Sequence, residues 1–395
     1  MDSKFADRLI AAVSEDRLDA GITVEAVYRA PGDGKIMPPS FPQGPYLIEP
    51  RWVDGAERSA VVLDQVPSQA NRVEEALLTA RSEGRIQLPL FELQATTGHG
   101  VLRLTSLEFP HRYADAYLRD SLVDGQRFDA SEVGRRLREA SAEDARPLYE
   151  RDPGSLIFGA WDSHREGRWP KFARFYTSSM MGLDPKGGLR RGTRMDPWNL
   201  GGGIDDKEKA EGDWAYEPGG SREFPKERRL SAIGHGNIAP VEVFGGVSIT
   251  QAQRNAWLSL AGLERLRFGD ASPEAAKLAR ACLASLAMAG DRLAFGRPSL
   301  WLRSGCDLIR VSEKLAFERD GGEREEFTLT ATEAIAAFGE LRDRGGGRRD
   351  DGHGHDHPPA IRAPGAGDRV LGDQSSRRGL GDGAGRARPV AGRAL

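Results

Sequence analysis

Strand-period and helix-period segments alternate along residues 1 to 342 of this chain, and then the alternation stops. ITVEAVYRA, Ile22–Ala30, alternates apolar with polar residues and is rich in β-branched side chains, the pattern of a half-buried strand. Tyr46–Val53 and Ser59–Asp64 read as two more strands, with Pro31–Pro45 a glycine-proline loop before them. Ser68–Glu83 then reads as a helix, capped by Ser68, with Val73, Leu77 and Leu78 facing inward. Leu88–Ala95 and Val101–Thr105 form a hairpin pattern around Thr97–Gly100. Phe109–Leu118 and Ala130–Ala140 read as helices, and Ser155–Gly159 and Lys171–Ser178 as strands. Beyond a long interruption come a strand at Val241–Ile249 and helices at Gln251–Leu266 and Pro273–Ala289. Strands at Leu300–Arg303 and Asp307–Glu318 and a helix at Ala331–Leu341 complete the pattern. Mixed elements without strict βαβ repetition predict an α+β domain.

The remaining residues differ in kind. Asp343–Leu395 holds ten arginines, seven aspartates and no aromatic residue. Such a segment cannot bury enough apolar surface to offset the entropy of ordering, so a disordered Gly/Arg-rich tail is expected there. A weak RNA-binding role, an inert extension and an out-of-frame end all fit its composition, and His353, His355 and His357 read as part of a solvated low-complexity tract.

With 395 residues and a mean hydropathy of -0.51, the chain reads as a soluble protein with no membrane partner. The first residues, MDSKFADRLIAAVSEDRL, read as an amphipathic helix with Phe5, Leu9, Ile10 and Val13 on one face, not as a signal peptide. Two cysteines without metal-type spacing, Cys282 and Cys306, fit a reducing cytoplasm and argue against a zinc ribbon.

The chemistry concentrates in FGAWDSHREGRWPKFAR, Phe158–Arg174, where aromatics interleave with cations. Aromatic faces stack on unpaired bases and cations track phosphates, so a single-strand nucleic-acid groove has this composition; a core strand flanked by solvated charges has it too. From Arg165 to Arg194 eight cations face two acids, a net of +6 in a chain whose total is -3. Such a field attracts a polyanion. Gly182–Arg229 has little periodicity and is too long for an ordinary connection, so it reads as a functional excursion or a mobile insertion.

Other constellations carry less. In PHRYADAYLRDS, a helix would put Arg112, Asp115 and Arg119 on one face, either as a surface ion-pair ladder or with Asp115 presenting two guanidiniums to phosphates. His111 and Asp115 lack a third metal ligand in sequence. Asp162–Ser163–His164 are sequence neighbours, whereas a catalytic triad is made by convergence in space. No phosphate-cradling glycine loop is present.

Six blocks in order resemble a known family: APGDGKIMPPSF, LDQVPSQANRVEEAL, PHRYADAYLRDS, LIFGAWDSHR, LSAIGHGNI and GVSITQ. They look like the backbone subunit of type I-U CRISPR interference complexes, now called type I-G, within the RAMP superfamily. The resemblance spans about Ile22 to Arg342. It implies an RRM-like, ferredoxin-type palm with large finger and thumb insertions. It implies a non-catalytic, cofactor-free, cytoplasmic protein that stacks in copies of itself along a guide CRISPR RNA, beside other Cascade subunits, and presents the guide to target DNA. The RNA-contact candidates it implies are Asn71 and Arg72, then His111, Arg112 and Arg119, then Trp161, His164 and Arg165. The basic run adds Lys171, Arg174, Arg190, Arg191 and Arg194. A metal-dependent RNA-processing nuclease using His111, Asp115 and His164 is the alternative.

Overall fold

A computed structural model describes residues 3–42, 44–97, 100–161, 171–205, 215–220, 222–345 and 361–362. Its main sheet runs in the order Ser299–Arg303, Cys306–Arg319, Asp19–Arg29, Ala252–Ser259, Tyr176–Leu183, Ala56–Asp64, Ile48–Val53, with Arg324–Phe327 added beside Cys306–Arg319. Every neighbouring pair is antiparallel. Within it, Asp19–Arg29, helix Val66–Ser82, Tyr176–Leu183, Ala252–Ser259, helix Pro273–Phe295 and Cys306–Arg319 form a βαββαβ unit. Their sheet order is fourth, first, third, second, which is the ferredoxin-like arrangement. The mixed α+β palm expected from the sequence is therefore the architecture observed.

The strand period decides which face is buried. Ile22, Val24, Ala26 and Tyr28 point into the core beneath the helices, while Thr23, Glu25 and Val27 lie on the other, partly open face. Helix Val66–Ser82 presses Val73 and Leu77 against the long helix at Gly290, where an added Cβ would stand 2.5 Å from Val73 Cγ1. A residue with any side chain there would force the two helices apart. The edge strand Ser299–Arg303 is tied back to strand Ala56–Asp64 and to helix Val66–Ser82. Arg303 Nη2 donates to Leu63 O at 2.9 Å, and Arg72 Nη2 donates to Leu302 O at 2.8 Å.

Several local expectations are corrected. Gln251–Leu266 is not one helix but strand Ala252–Ser259 followed by the short helix Leu260–Glu264. Arg254 occupies a buried strand position, which breaks the apolar alternation that would have revealed the strand. Ser155–Gly159 is not a strand: Pro153–Phe158 is a fully buried helical turn and a half, and a short apolar run does not distinguish the two. Ser68 does not cap its helix, which starts at Val66; its hydroxyl donates to Asp64 Oδ1 at 2.6 Å. Phe109–Leu118 breaks at Asp115 into the 3-10 turn Arg112–Ala114 and the helix Ala116–Arg119. The strand expected at Lys171–Ser178 starts only at Tyr176.

The insertion contains regular structure. Lys186–Arg194 pairs antiparallel with Ile238–Ser248 in a ribbon completed by Lys35–Ile36, and Gly203–Ile204 pairs with Tyr216–Glu217. Ile238–Ser248 contains most of the strand expected at Val241–Ile249, whereas Lys186–Arg194, rich in glycine and with exposed side chains on both faces, has no amphipathic period and was not legible in the sequence. At the other end, helix Ala331–Gly345 runs three residues into the segment expected to be disordered. Ile361–Arg362 pairs between Leu93–Gln94 and Leu122, and the rest of that segment lies outside the described residues. Among the described residues no helix is long and apolar enough to cross a membrane.

Candidate nucleic-acid interface

The local chain path builds a groove from two of the sequence blocks. Asp152 is fully buried and accepts from the hydroxyls of Ser155, at 2.6 Å, and Ser106, at 3.2 Å, pinning the turn Pro153–Phe158 in place. Gly159 ends that turn at φ 79°, where an added Cβ would stand 3.0 Å from Phe172 O and 3.2 Å from Arg174 N. Only glycine combines this left-handed conformation with so close a backbone approach. The chain can then double back, and Ala160 bridges to Phe172. Phe158 and Phe172 are core residues, packed edge-on against Tyr176 and Tyr113.

Arg112 locks the groove to the palm. It is a non-glycine residue at φ 53°, a sparsely populated conformation held by its contacts. Its Nε and Nη2 fork onto Glu74 at 2.6 and 2.8 Å, and its Nη1 donates to Gly159 O at 2.8 Å. The pair is buried, so Arg112 is not presented to phosphate as its sequence block implied; it positions the wall instead. Glu74, which the sequence reading missed, sits on helix Val66–Ser82 thirty-eight residues away.

The resulting groove, about 490 Å³, is lined by Pro110, His111 and Arg112 on one side and by Phe158–Trp161, Phe172, Arg174 and Thr177 on the other. His111 is exposed at the rim. Trp161 is 48% exposed, and the Lys171 ammonium lies 4.8 Å from its ring centroid. Arg174 is half-buried, with Nε donating to Phe158 O at 3.0 Å. Burial pushes its guanidinium below the ordinary value; Arg112 pushes the same way, and Glu74 opposes. Among the described residues no carboxylate forms an ion pair with Arg174, so an anion arriving here meets a cation whose own surroundings leave it under-neutralised.

The other candidates lie elsewhere. Asn71 is exposed on helix Val66–Ser82, and Arg72 lies on a different flank of that helix from Glu74, with Nε donating to Asp64 at 2.7 Å. Arg119 forks onto Asp120. Asp115 accepts from His111 N and Tyr117 N, at 3.0 and 2.9 Å, as a helix cap, so it does not hold Arg112. Arg190 and Arg191 are exposed on opposite faces of the ribbon, and Arg194 donates to Gly236 O at 3.0 Å. His164 and Arg165 lie outside the described residues.

Two buried carboxyls behind the groove carry a pH signature. Burial pushes Glu74 up to about 7 against the pull of Arg112, and pushes Asp152 up to about 6 against its serine hydrogen bonds. Both values are raised, so over the interval from the ordinary carboxylate range to about 7 the folded state holds protons that the unfolded chain has released. These two groups therefore contribute a stability that is lost as pH rises through about 6 to 7. Thermal unfolding followed across that interval should show Glu74→Gln with a shallower decline than the parent. An unchanged decline would show that Glu74 titrates normally.

Residues 24–186 match the family described as CRISPR-associated protein GSU0053. That span begins in the central strand of the palm and ends where the ribbon starts, so it contains every wall of the groove. No curated protein matches the chain.

Proposed function

We propose that this CRISPR-associated chain is a non-catalytic backbone subunit of a type I-G interference complex, binding guide RNA by its sugar-phosphate backbone. One observation supports this reading: the P-H-R block and Phe158–Trp161, far apart in sequence, close on a groove that holds the exposed Trp161 and Arg174, a cation with no ion-paired carboxylate among the described residues. A ring for a base beside cations for phosphates is how single strands are held without reading sequence. Arg190 and Arg191, exposed on the ribbon away from this groove, would be further phosphate contacts. The guide's bases would stay free to pair with target DNA, and further copies of the chain would repeat the contact along the RNA, beside other subunits.

The alternative is a metal-dependent nuclease using His111, Asp115 and His164; the Asp115 oxygens accept from His111 N and Tyr117 N, and His164 lies outside the described residues. The test is purification of the chain with its neighbouring subunits, followed by sequencing of the RNA that elutes. Bound RNA of one defined length, intact on prolonged incubation, is expected. RNA that is shortened over time, with cleavage stopped by a chelator, would favour the enzyme.

A further inference from the structure

A second basic groove lies on another flank of the palm, built from residues outside the first. It measures about 360 Å³ and is bounded by helix Val66–Ser82, the end of helix Pro273–Phe295 and the edge strand Ser299–Arg303. Arg72, Arg85 and Arg297 face Glu75 as its only lining carboxylate among the described residues. Arg72 is tied to Asp64 and Arg85 to Glu83, at 2.7 and 2.6 Å. Arg297 is exposed and forms no ion pair among the described residues. Trp301 lines the same groove and is 63% exposed, and the exposed Ser299 and Thr79 add hydroxyls.

We infer that this groove binds one nucleotide unit of a single-stranded nucleic acid, with its phosphate on Arg297 and Arg72 and its base stacked on Trp301. The chemistry selects this ligand. Guanidinium forks match phosphate oxygens, an exposed indole on a rigid strand offers a stacking face, and hydroxyls suit the sugar. An acidic protein segment would use the arginines but leave the indole bare. RNA and DNA share the recognised chemistry, so the strand's identity falls to the experiment. The inference rests on residues separate from Trp161 and Arg174, and it stands or fails independently of the first groove.

The test is photocrosslinking of the whole chain to thio-substituted RNA and DNA oligonucleotides, with the crosslinked peptides mapped by mass spectrometry. A crosslink on the peptide bearing Trp301 is expected, and the oligonucleotide that gives it identifies the strand. Arg297→Glu should remove that crosslink while leaving one at Trp161. Trp301→Ala should weaken oligonucleotide binding about tenfold, and Trp301→Phe should keep most of it. Neither oligonucleotide crosslinking between residues 297 and 303 would overturn the inference. So would a polyglutamate peptide that shields Trp301 where oligonucleotides do not.

Discussion

Asp291→Ala should destabilise the fold by about 3–5 kcal/mol, because it strands a fully buried guanidinium. Asp291 is inaccessible, and it accepts from Tyr176 Oη at 2.5 Å, from Arg292 Nε at 2.9 Å and from Arg254. Arg254 is equally inaccessible, stacked 3.8 Å over the Phe295 ring. Without the carboxylate it would keep, among the described residues, Gln69 Oε1, at 3.2 Å, and the Tyr176 hydroxyl, at 2.8 Å, and Arg292 would rely on Glu313. Burial alone would raise the Asp291 carboxyl, but Arg254 and Arg292 outweigh it and hold the group well below the carboxylate range. Its stabilising contribution is therefore present at neutral pH and fades only as pH falls below the ordinary carboxylate value. Thermal or denaturant unfolding should show a Tm lower by roughly 10 °C. Combining Asp291→Leu with Arg254→Met should recover part of the loss, since it removes the charge that would otherwise be stranded. A single substitution within about 1 kcal/mol of the parent would mean that water reaches this network.

Arg174→Glu should lower affinity for single-stranded RNA by about 10–100-fold, the cost of losing a charge-assisted contact and adding a repulsion. Among the described residues Arg174 holds a single backbone carbonyl, Phe158 O, so its loss should leave the melting temperature nearly unchanged, and a binding defect then reports on the groove. Arg174→Lys should restore part of the affinity, because the charge returns without the planar fork. Fluorescence polarisation with a labelled oligonucleotide measures all three variants. Equal affinities would remove Arg174 from the interface.

What the sequence revealed follows physical locality. The alternation of Ile22–Ala30 announced its strand and its buried face, because a strand's period is written in consecutive residues. Trp161, Lys171 and Arg174 lie within one short segment, so the aromatic-cation composition that marks it could be read from consecutive residues. Pairings made at a distance were not legible. Arg112 looked like a phosphate ligand until Glu74, on another element, took its charge. Arg254 falls in a segment expected to be helical, and its buried partner Asp291 lies on another element. Neither partner carries a local mark of its role. Trp301 and Arg297 are separated by only a few residues, yet their shared groove exists because the sheet curls back toward helix Val66–Ser82.

The most direct measurement is the salt dependence of RNA binding by the intact chain. Each phosphate neutralised on a single strand contributes roughly -0.7 to the slope of log affinity against log salt. A backbone-tracking subunit predicts a steeply negative slope, similar for unrelated RNA sequences and shallower by about one phosphate in Arg174→Glu. Affinity that is flat with salt, or a slope that Arg174→Glu leaves untouched, would contradict a phosphate-binding role for this groove.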